Sequence, residues 1–339
     1  MSGLQFFWFF LIGLLFSMFF FLEGFDFGVG MSVQTLAHNE DEKNQIVETI
    51  GPVWDGNEVW LLTAGGAMFA SFPYWYASLF SGYYLVLLLI LVGLIIRGIS
   101  FEFRANASPK YKNLWNWTLT IGSTMVPFFF GLLFTSLVQG IPLDAAGNAS
   151  ASFTDYVNVF SVVGGVAVTL LSYLHGLNYI ALKTEGPVRE RARNYASFFY
   201  WVLYLGLVVF AILLFVKTDF FQKHALATSS LIVVIVFLTL LAHLAVFKHK
   251  ELTAFLSSGL TLIAVVVLLF QGLFPRVMIS STSAKFDLLI ENASSSPYTL
   301  KIMSIIAITL VPFVLAYVAW SYYIFRKRIS LPTVKTGGH

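Results

Sequence analysis

Cysteine is absent from all 339 positions of this sequence. Its absence excludes disulfides, thiolate-held iron–sulfur clusters, thioether-attached haem and cysteine nucleophiles. Charge is scarce as well: Asp, Glu, Lys and Arg make up 11% of residues, against about 25% in a soluble domain. There is no P-loop, no G-x-G-x-x-G after a strand pattern and no cluster of metal-ligand residues, so nothing marks a stand-alone catalyst. The net charge of +3 is small and the cations are scattered over separate loops. Nucleic acid binding, which needs a continuous basic surface, is excluded on that ground.

Apolar residues fill the remaining space, at 58% of the chain, with 35 phenylalanines and eight tryptophans and a mean hydropathy of +0.81. This is the composition of an integral membrane protein built from helices, because a span of about 20 apolar residues must satisfy its own backbone in lipid. The first uncharged run covers residues 2–22 and continues as helix to about residue 33. It lacks a basic leading segment and runs into Glu23 and Asp26 rather than a cleavage site, so it reads as a retained first helix. The second run, 59–96, has 38 residues and as one helix would reach about 57 Å. Ser71-Phe72-Pro73-Tyr74 is the natural turn that splits it into two spans. Further spans are predicted near 116–139, 156–182, 195–216, 225–247, 252–274 and 300–325, nine in all. Glycines at 24, 28, 30, 65, 66, 164 and 165 point to close helix approach.

Loop charges set an orientation. Arg97, Arg104, Lys110 and Lys112 follow span 3, and Lys183, Arg189, Arg191 and Arg193 follow span 5. Lys248 and Lys250 follow span 7, and the tail holds Arg326, Lys327, Arg328 and Lys335. The alternate loops, 71–76, 140–155, 217–224 and 275–299, are poor in Lys and Arg. The N-terminus is therefore expected outside and the C-terminus in the cytoplasm.

Against this background four acids stand out: Glu23 and Asp26 in Leu22-Glu23-Gly24-Phe25-Asp26-Phe27-Gly28, and Asp55 and Glu58 in Trp54-Asp55-Gly56-Asn57-Glu58. Each pair is spaced i, i+3 and so shares a helix face. The orientation brings both pairs toward the cytoplasmic side, with Arg97 and Arg104 as supporting charge partners. Ionisable groups at membrane depth are costly and mark proton or ion pathways. The four are therefore proton-path candidates. The competing reading is that they mark the interface and satisfy helix ends or arginines. Of the histidines, only His175 and His243 fall inside spans; His38, His249 and His339 belong to cytoplasmic segments and His224 to the outer edge. With no H-x₃-H pair and no Met at helical spacing, His175 and His243 read as packing residues rather than haem ligands. No metal site and no catalytic residue is expected in this chain.

The order of these motifs resembles subunit II of the cytochrome bd ubiquinol/menaquinol oxidases over essentially the whole length. The resemblance rests on Gly24-Phe25-Asp26 with Gly28-Val29-Gly30, Trp54-Asp55-Gly56-Asn57 with Val59-Trp60-Leu61, Thr63-Ala64-Gly65-Gly66-Ala67 and Phe80-Ser81-Gly82. It continues through Arg97, Phe101-Glu102 and Arg104, Asn113, Trp115 and Trp117, Gln139-Gly140-Ile141-Pro142, Phe274-Pro275, Ser280-Ser281-Thr282, Asn292-Ala293-Ser294-Ser295 and Thr299-Leu300. It implies an all-α, nine-helix subunit forming one membrane domain over 1–339. A first four-helix bundle over 1–140 would carry the acidic motifs, a second would cover 155–274, and a peripheral ninth helix 298–326. It also implies a pseudo-symmetric partner, subunit I, which holds haems b and d and the quinol-oxidising loop. The complex oxidises quinol, reduces dioxygen to water and draws its protons from the cytoplasm, in a bacterial inner membrane. Asp55 resembles the family carboxylate on a proton path at the subunit interface, with Asp26 and Glu23 similar to it. Glu58 departs from members that carry an uncharged amide there. Some members hold a structural quinone in this subunit, although no motif here licenses it, and a small single-helix subunit is a further partner the resemblance implies. A proton-coupled secondary transporter is the alternative from another class, although no broken-helix pair or repeat is visible. A purely structural partner is a third reading.

Overall fold

Apolar runs that exclude water leave their amides only one another to bond, so each becomes helix. The computed structural model, which describes residues 1–330, is helical almost throughout. In chain order it comprises α1 (Gly3–Thr35), α2 (Glu40–Glu48), α3 (Trp54–Ser71), α4 (Pro73–Gly82), α5 (Tyr84–Asn106) and α6 (Pro109–Gln139). There follow α7 (Phe153–Tyr156), α8 (Val159–Lys183), α9 (Pro187–Lys217), α10 (Phe220–Phe247) and α11 (Glu251–Leu273). An antiparallel ribbon of β1 (Arg276–Met278) and β2 (Leu288–Leu289) leads through α12 (Ile290–Ala293) to α13 (Pro297–Ile324). Lys335 and His339 lie outside the described residues. Proline opens α4, α6, α9 and α13, where its missing N–H costs nothing and its φ suits the first turn.

Among the described residues, eight helices are long and apolar enough to cross a membrane: α1, α5, α6, α8, α9, α10, α11 and α13. The helix that answers to the second expected span, α3, has 18 residues, about 27 Å of length. Asp55, Asn57 and Glu58 make it the less apolar one.

The expected turn at 71–74 is a helix break at Phe72, but the chain does not begin the next long span there. It forms the ten-residue α4 first, and α5 starts only at Tyr84 and continues to Asn106. Arg97 and Arg104 are therefore helical and buried, not loop residues as expected. A span bounded at its first charge ends too early when that charge is neutralised by another helix.

α1 is the hub, packing against α3, α6, α8 and α11. Its approach to α8 is backbone on backbone: a methyl added at Gly28 would fall 2.7 Å from Gly176 Cα. Gly131 of α6 meets α8 in the same way, 2.8 Å from Gly165 Cα. Gly65 and Gly66 depart from the expectation, with nothing within 4 Å of an added methyl. They face open space on α3. α13 touches α1 and α3 and is otherwise exposed, with Leu300 and Ser304 its only buried residues.

The connections sort to two ends. At the N-terminal end, Ile141 and Ile279 are joined through backbone N–H and carbonyl at 3.1 Å, and Ser295 N–H donates to the Ser71 carbonyl at 2.8 Å. Arg276, 4% exposed, clamps Asp219 with two hydrogen bonds of 2.8 and 2.9 Å. Burial opposes ionisation of Asp219, but hydrogen bonds from Arg276 and Lys223 outweigh it and hold the carboxyl down at about 2 against an ordinary 3.8. A depressed carboxyl stabilises the fold above its unfolded value and loses that contribution as pH falls through the folded one. The clamp should therefore be complete above about pH 4 and fade toward pH 2. Thermal melting of the purified protein at pH 6 and pH 3 should show a smaller difference in Asp219→Asn than in the parent.

At the opposite end α2 is tied down by Arg191, which pairs with Glu42 at 2.5 Å, and by Gln45, which donates to the Ile329 carbonyl at 2.8 Å. Glu251 gathers Arg189 at 2.7 Å and Arg193 beside it.

Candidate functional site

At 100° per residue, Glu23, Asp26 and Phe27 share one face of α1, while Gly24 and Gly28 share another. The glycine face lies on α8 and α11, within reach of Ser172, Gly176 and Leu262. The acidic face therefore turns toward α3 and α5, and both carboxyls are 0% exposed.

Three elements complete the site. α5 supplies Arg97, also 0% exposed, whose Nη1 donates to Glu23. Its Nη2 lies 4.0 Å from Asp26 Oδ2 and its Nη1 3.7 Å from Glu58 Oε2 on α3. The guanidinium sits 5.0, 5.9 and 5.5 Å from the ring centroids of Phe27, Trp54 and Phe101, within cation–π range. Trp54 and Phe101 stack on each other at 4.7 Å. Asn57 of α3 donates from Nδ2 to Asp26 Oδ2 at 2.7 Å, and Tyr322 of α13 donates to Asn57 Oδ1 at 2.7 Å.

Two buried carboxyls thus share one arginine, and the set is not fully satisfied. Glu23 Oε2, Asp26 Oδ1 and Arg97 Nε and Nη2 are buried without a hydrogen-bond partner. An unsatisfied buried ionic group is expensive, and replacing the whole set with apolar residues is often neutral or stabilising. Packing alone gives no reason for it.

The four acids and two arginines do not form one group. Glu23, Asp26, Glu58 and Arg97 come together, with Glu58 27% exposed at the side chain. Asp55 is exposed, one turn before Glu58. Arg104 joins a different network: it donates to Asn116 at 2.5 Å and Asn44 at 2.8 Å, and lies 3.8 Å from Glu40. Burial opposes ionisation of Glu40, yet the hydrogen bonds from Lys43 and Asn116 and the nearby charges of Lys43 and Arg104 together outweigh it and hold its carboxyl below the ordinary range. Asn57 stands inside a motif in which only the acids, Asp55 and Glu58, are candidate site residues. Tyr322 carries no sequence signal at all, being one of 15 tyrosines.

His175 has both ring nitrogens engaged, with Ser258 Oγ at 2.8 Å and the Phe21 carbonyl at 2.9 Å, so neither is left for an axial bond. His243 bonds Tyr204 at 2.7 Å through Nδ1 and is stacked between Tyr200 and Phe247. A haem does not fit at His175; at His243 the buried Nε2 has no hydrogen-bond partner, and the rings of Tyr200, Trp201 and Phe247 are packed around the imidazole. Among the described residues no group of three or more His, Cys, Asp or Glu converges as for a metal. An apolar cavity of about 330 Å³ lies between α6, α8, α9 and α11, where Thr135 is the sole polar side chain of the lining. A quinone head, which needs convergent donors, finds none there.

Residues 4–325 match the family model described as cytochrome bd terminal oxidase subunit II. The chain is 47% identical over 331 residues to cytochrome bd ubiquinol oxidase subunit 2 of Bacillus subtilis, covering 97% of this chain and 98% of that one. It is 32% identical over 370 aligned positions to cytochrome bd-I ubiquinol oxidase subunit 2 of Escherichia coli K12, covering 99% and 98%. In fold it is similar to a chain of the bd oxidase from Geobacillus thermodenitrificans, with a TM-score of 0.72 at 17% identity over 95% of this chain and 97% of that one.

Proposed function

The chain belongs to the cytochrome bd terminal oxidase subunit II family, and on that premise we propose that it is the haem-free subunit of a quinol:dioxygen oxidoreductase. In this reading it braces subunit I, which carries haems b and d, and delivers cytoplasmic protons to the reduction of dioxygen to water. Quinol is oxidised by the complex, not by this chain. A bound quinone, a small single-helix subunit and membrane lipid are further partners of such a complex.

One observation carries the proton role: Glu23 and Asp26 are fully buried against a single arginine, each with one unpartnered oxygen. Two carboxyls beside one guanidinium reach electrical neutrality with one proton held between them. Exposure falls from Asp55 through the part-buried Glu58 to this pair, so carboxyls are available at successive depths. Asp55 then serves as the intake group, Glu58 as an intermediate, and Glu23 with Asp26 as the buried proton store.

Counting α3 with the eight apolar helices gives nine crossings, with the N-terminus outside, the C-terminus cytoplasmic and the bacterial inner membrane as location. The first bundle is then 1–140, the second 155–274 and the ninth helix 298–326. This is supported by the sorting of Arg189, Arg191 and Arg193 to the end of the molecule that holds α2, and by the neutralisation of Arg276 and Lys223 at the other end by Asp219.

Co-purification tests the assignment. The chain expressed alone should show no haem absorbance, and the complex with subunit I should show the full pigment spectrum. Haem bound by this chain alone overturns the reading. In the complex, Asp55→Asn should lower quinol oxidase turnover with the haem spectrum intact. The amide can no longer take up and pass on a proton, so the loss should be severalfold; turnover equal to the parent removes Asp55 from the path.

A further inference from the structure

Asp26 is approached by Glu23 on its own helix, by Asn57 of α3 and by Arg97 of α5, whose guanidinium also faces Glu58. Tyr179 of α8 is stacked on the neighbouring Phe25 at 4.1 Å and donates its hydroxyl to the Thr49 carbonyl at 3.2 Å. The remaining visitor is the Tyr322 hydroxyl, which reaches Asn57. It comes from α13, a helix otherwise almost wholly exposed.

That hydroxyl is held in place from several sides. Lys183 of α8 donates to the carbonyls of Phe325 and Lys327, fixing the chain just after α13. At the far end of the same helix, Trp8 of α1 donates to Ser304 Oγ at 3.0 Å. The Tyr322 ring also packs edge-on to Phe25 at 6.5 Å.

An asparagine amide has a donor end and an acceptor end, and its neighbours decide which way it points. With the Tyr322 hydroxyl donating to Oδ1, the Nδ2 end faces Asp26 Oδ2 and the Leu22 carbonyl, at 2.7 and 3.4 Å. Reversed, the amide would turn its oxygen toward Asp26, a contact that is favourable only with a proton on that carboxyl oxygen.

We propose that Tyr322 is a positioning residue for the proton store: it holds the Asn57 amide, whose Nδ2 end the acceptor-only Leu22 carbonyl turns toward Asp26, and so keeps Asp26 Oδ2 accepting a hydrogen bond and reserves Oδ1 for the transferred proton. The reserved oxygen is the one without a partner, as is Glu23 Oε2. α13, peripheral in its packing, is thereby coupled to the buried site. This rests on the proton-delivery reading given above.

The test uses the complex with subunit I. Asp26→Asn identifies the infrared carboxyl and carboxylate bands of Asp26 as those it removes. Tyr322→Phe keeps the ring and deletes the hydroxyl. It should shift those bands and lower turnover by about three- to tenfold, the effect of one lost hydrogen bond, with the haem spectrum unchanged. Tyr323→Phe, the exposed neighbour, should do neither. Asn57→Leu should shift the same bands, and adding Tyr322→Phe to it should change them no further. Asp26 bands unmoved by Tyr322→Phe in an assembled complex overturn the proposal. If they move while Asp26→Asn itself turns over like the parent, the positioning stands and the proton-delivery reading alone falls.

Discussion

Arg97→Met is expected to remove most of the assembled, haem-bearing complex from the membrane. The substitution keeps the unbranched stem as far as about Nε but leaves Glu23 and Asp26 buried with no cation. Breaking a buried pair from one side costs about 3–5 kcal/mol, a large share of the 5–15 kcal/mol that typically separates native from unfolded protein. The three aromatic rings around the guanidinium would lose their cation–π contacts as well. Complex yield and pigment absorbance in solubilised membranes measure the loss. Glu23→Gln added to Arg97→Met should restore part of the yield, since it deletes the carboxylate to which Arg97 donates directly. A single mutant that assembles like the parent would show that the ion pair is dispensable.

The second large effect concerns rate rather than assembly. Asp26→Asn is nearly isosteric, and the arginine keeps Glu23 as its partner, so the complex should form with a normal haem spectrum. The side chain has lost its capacity to take up a proton. Positioned acids and bases contribute about 10²–10⁴-fold to proton-transfer steps; with Glu23 still present as a second carboxyl, steady-state oxygen consumption should fall by about tenfold or more. A smaller fall than that of Asp55→Asn would mean that the exposed carboxylate, and not the buried pair, governs the route.

The long helices could be read directly, because a run of 20 apolar residues has few other fates in lipid. The shared face of Glu23 and Asp26 follows from helix geometry in the same way. Arg97 is expected as a charge partner of the acids, but its burial within a helix could not be read: the carboxylate that buries it is 74 positions away, and the rule that a charge ends a span puts it in a loop. Asn57 and Tyr322 are 265 positions apart, and no local pattern announces their contact. Gly65 and Gly66 illustrate the limit from the other side: the glycines that carry close packing, Gly28 and Gly176, and those that face open space look alike in sequence. Arg104 is expected beside the acids because the loop charges put both on the cytoplasmic side, whereas its partners come from α2 and α6.

Proton uptake followed in time tests the account most directly. In liposomes holding the complex, the fully reduced enzyme is mixed with oxygen, and charge movement and proton uptake are recorded alongside the haem absorbance. With Asp26→Asn, oxygen binding should keep the parent's rate, while charge movement and proton uptake slow together by about tenfold or more. Proton uptake at the parent's rate, in a complex whose haem spectrum is normal, would contradict delivery through the buried carboxyls of this subunit.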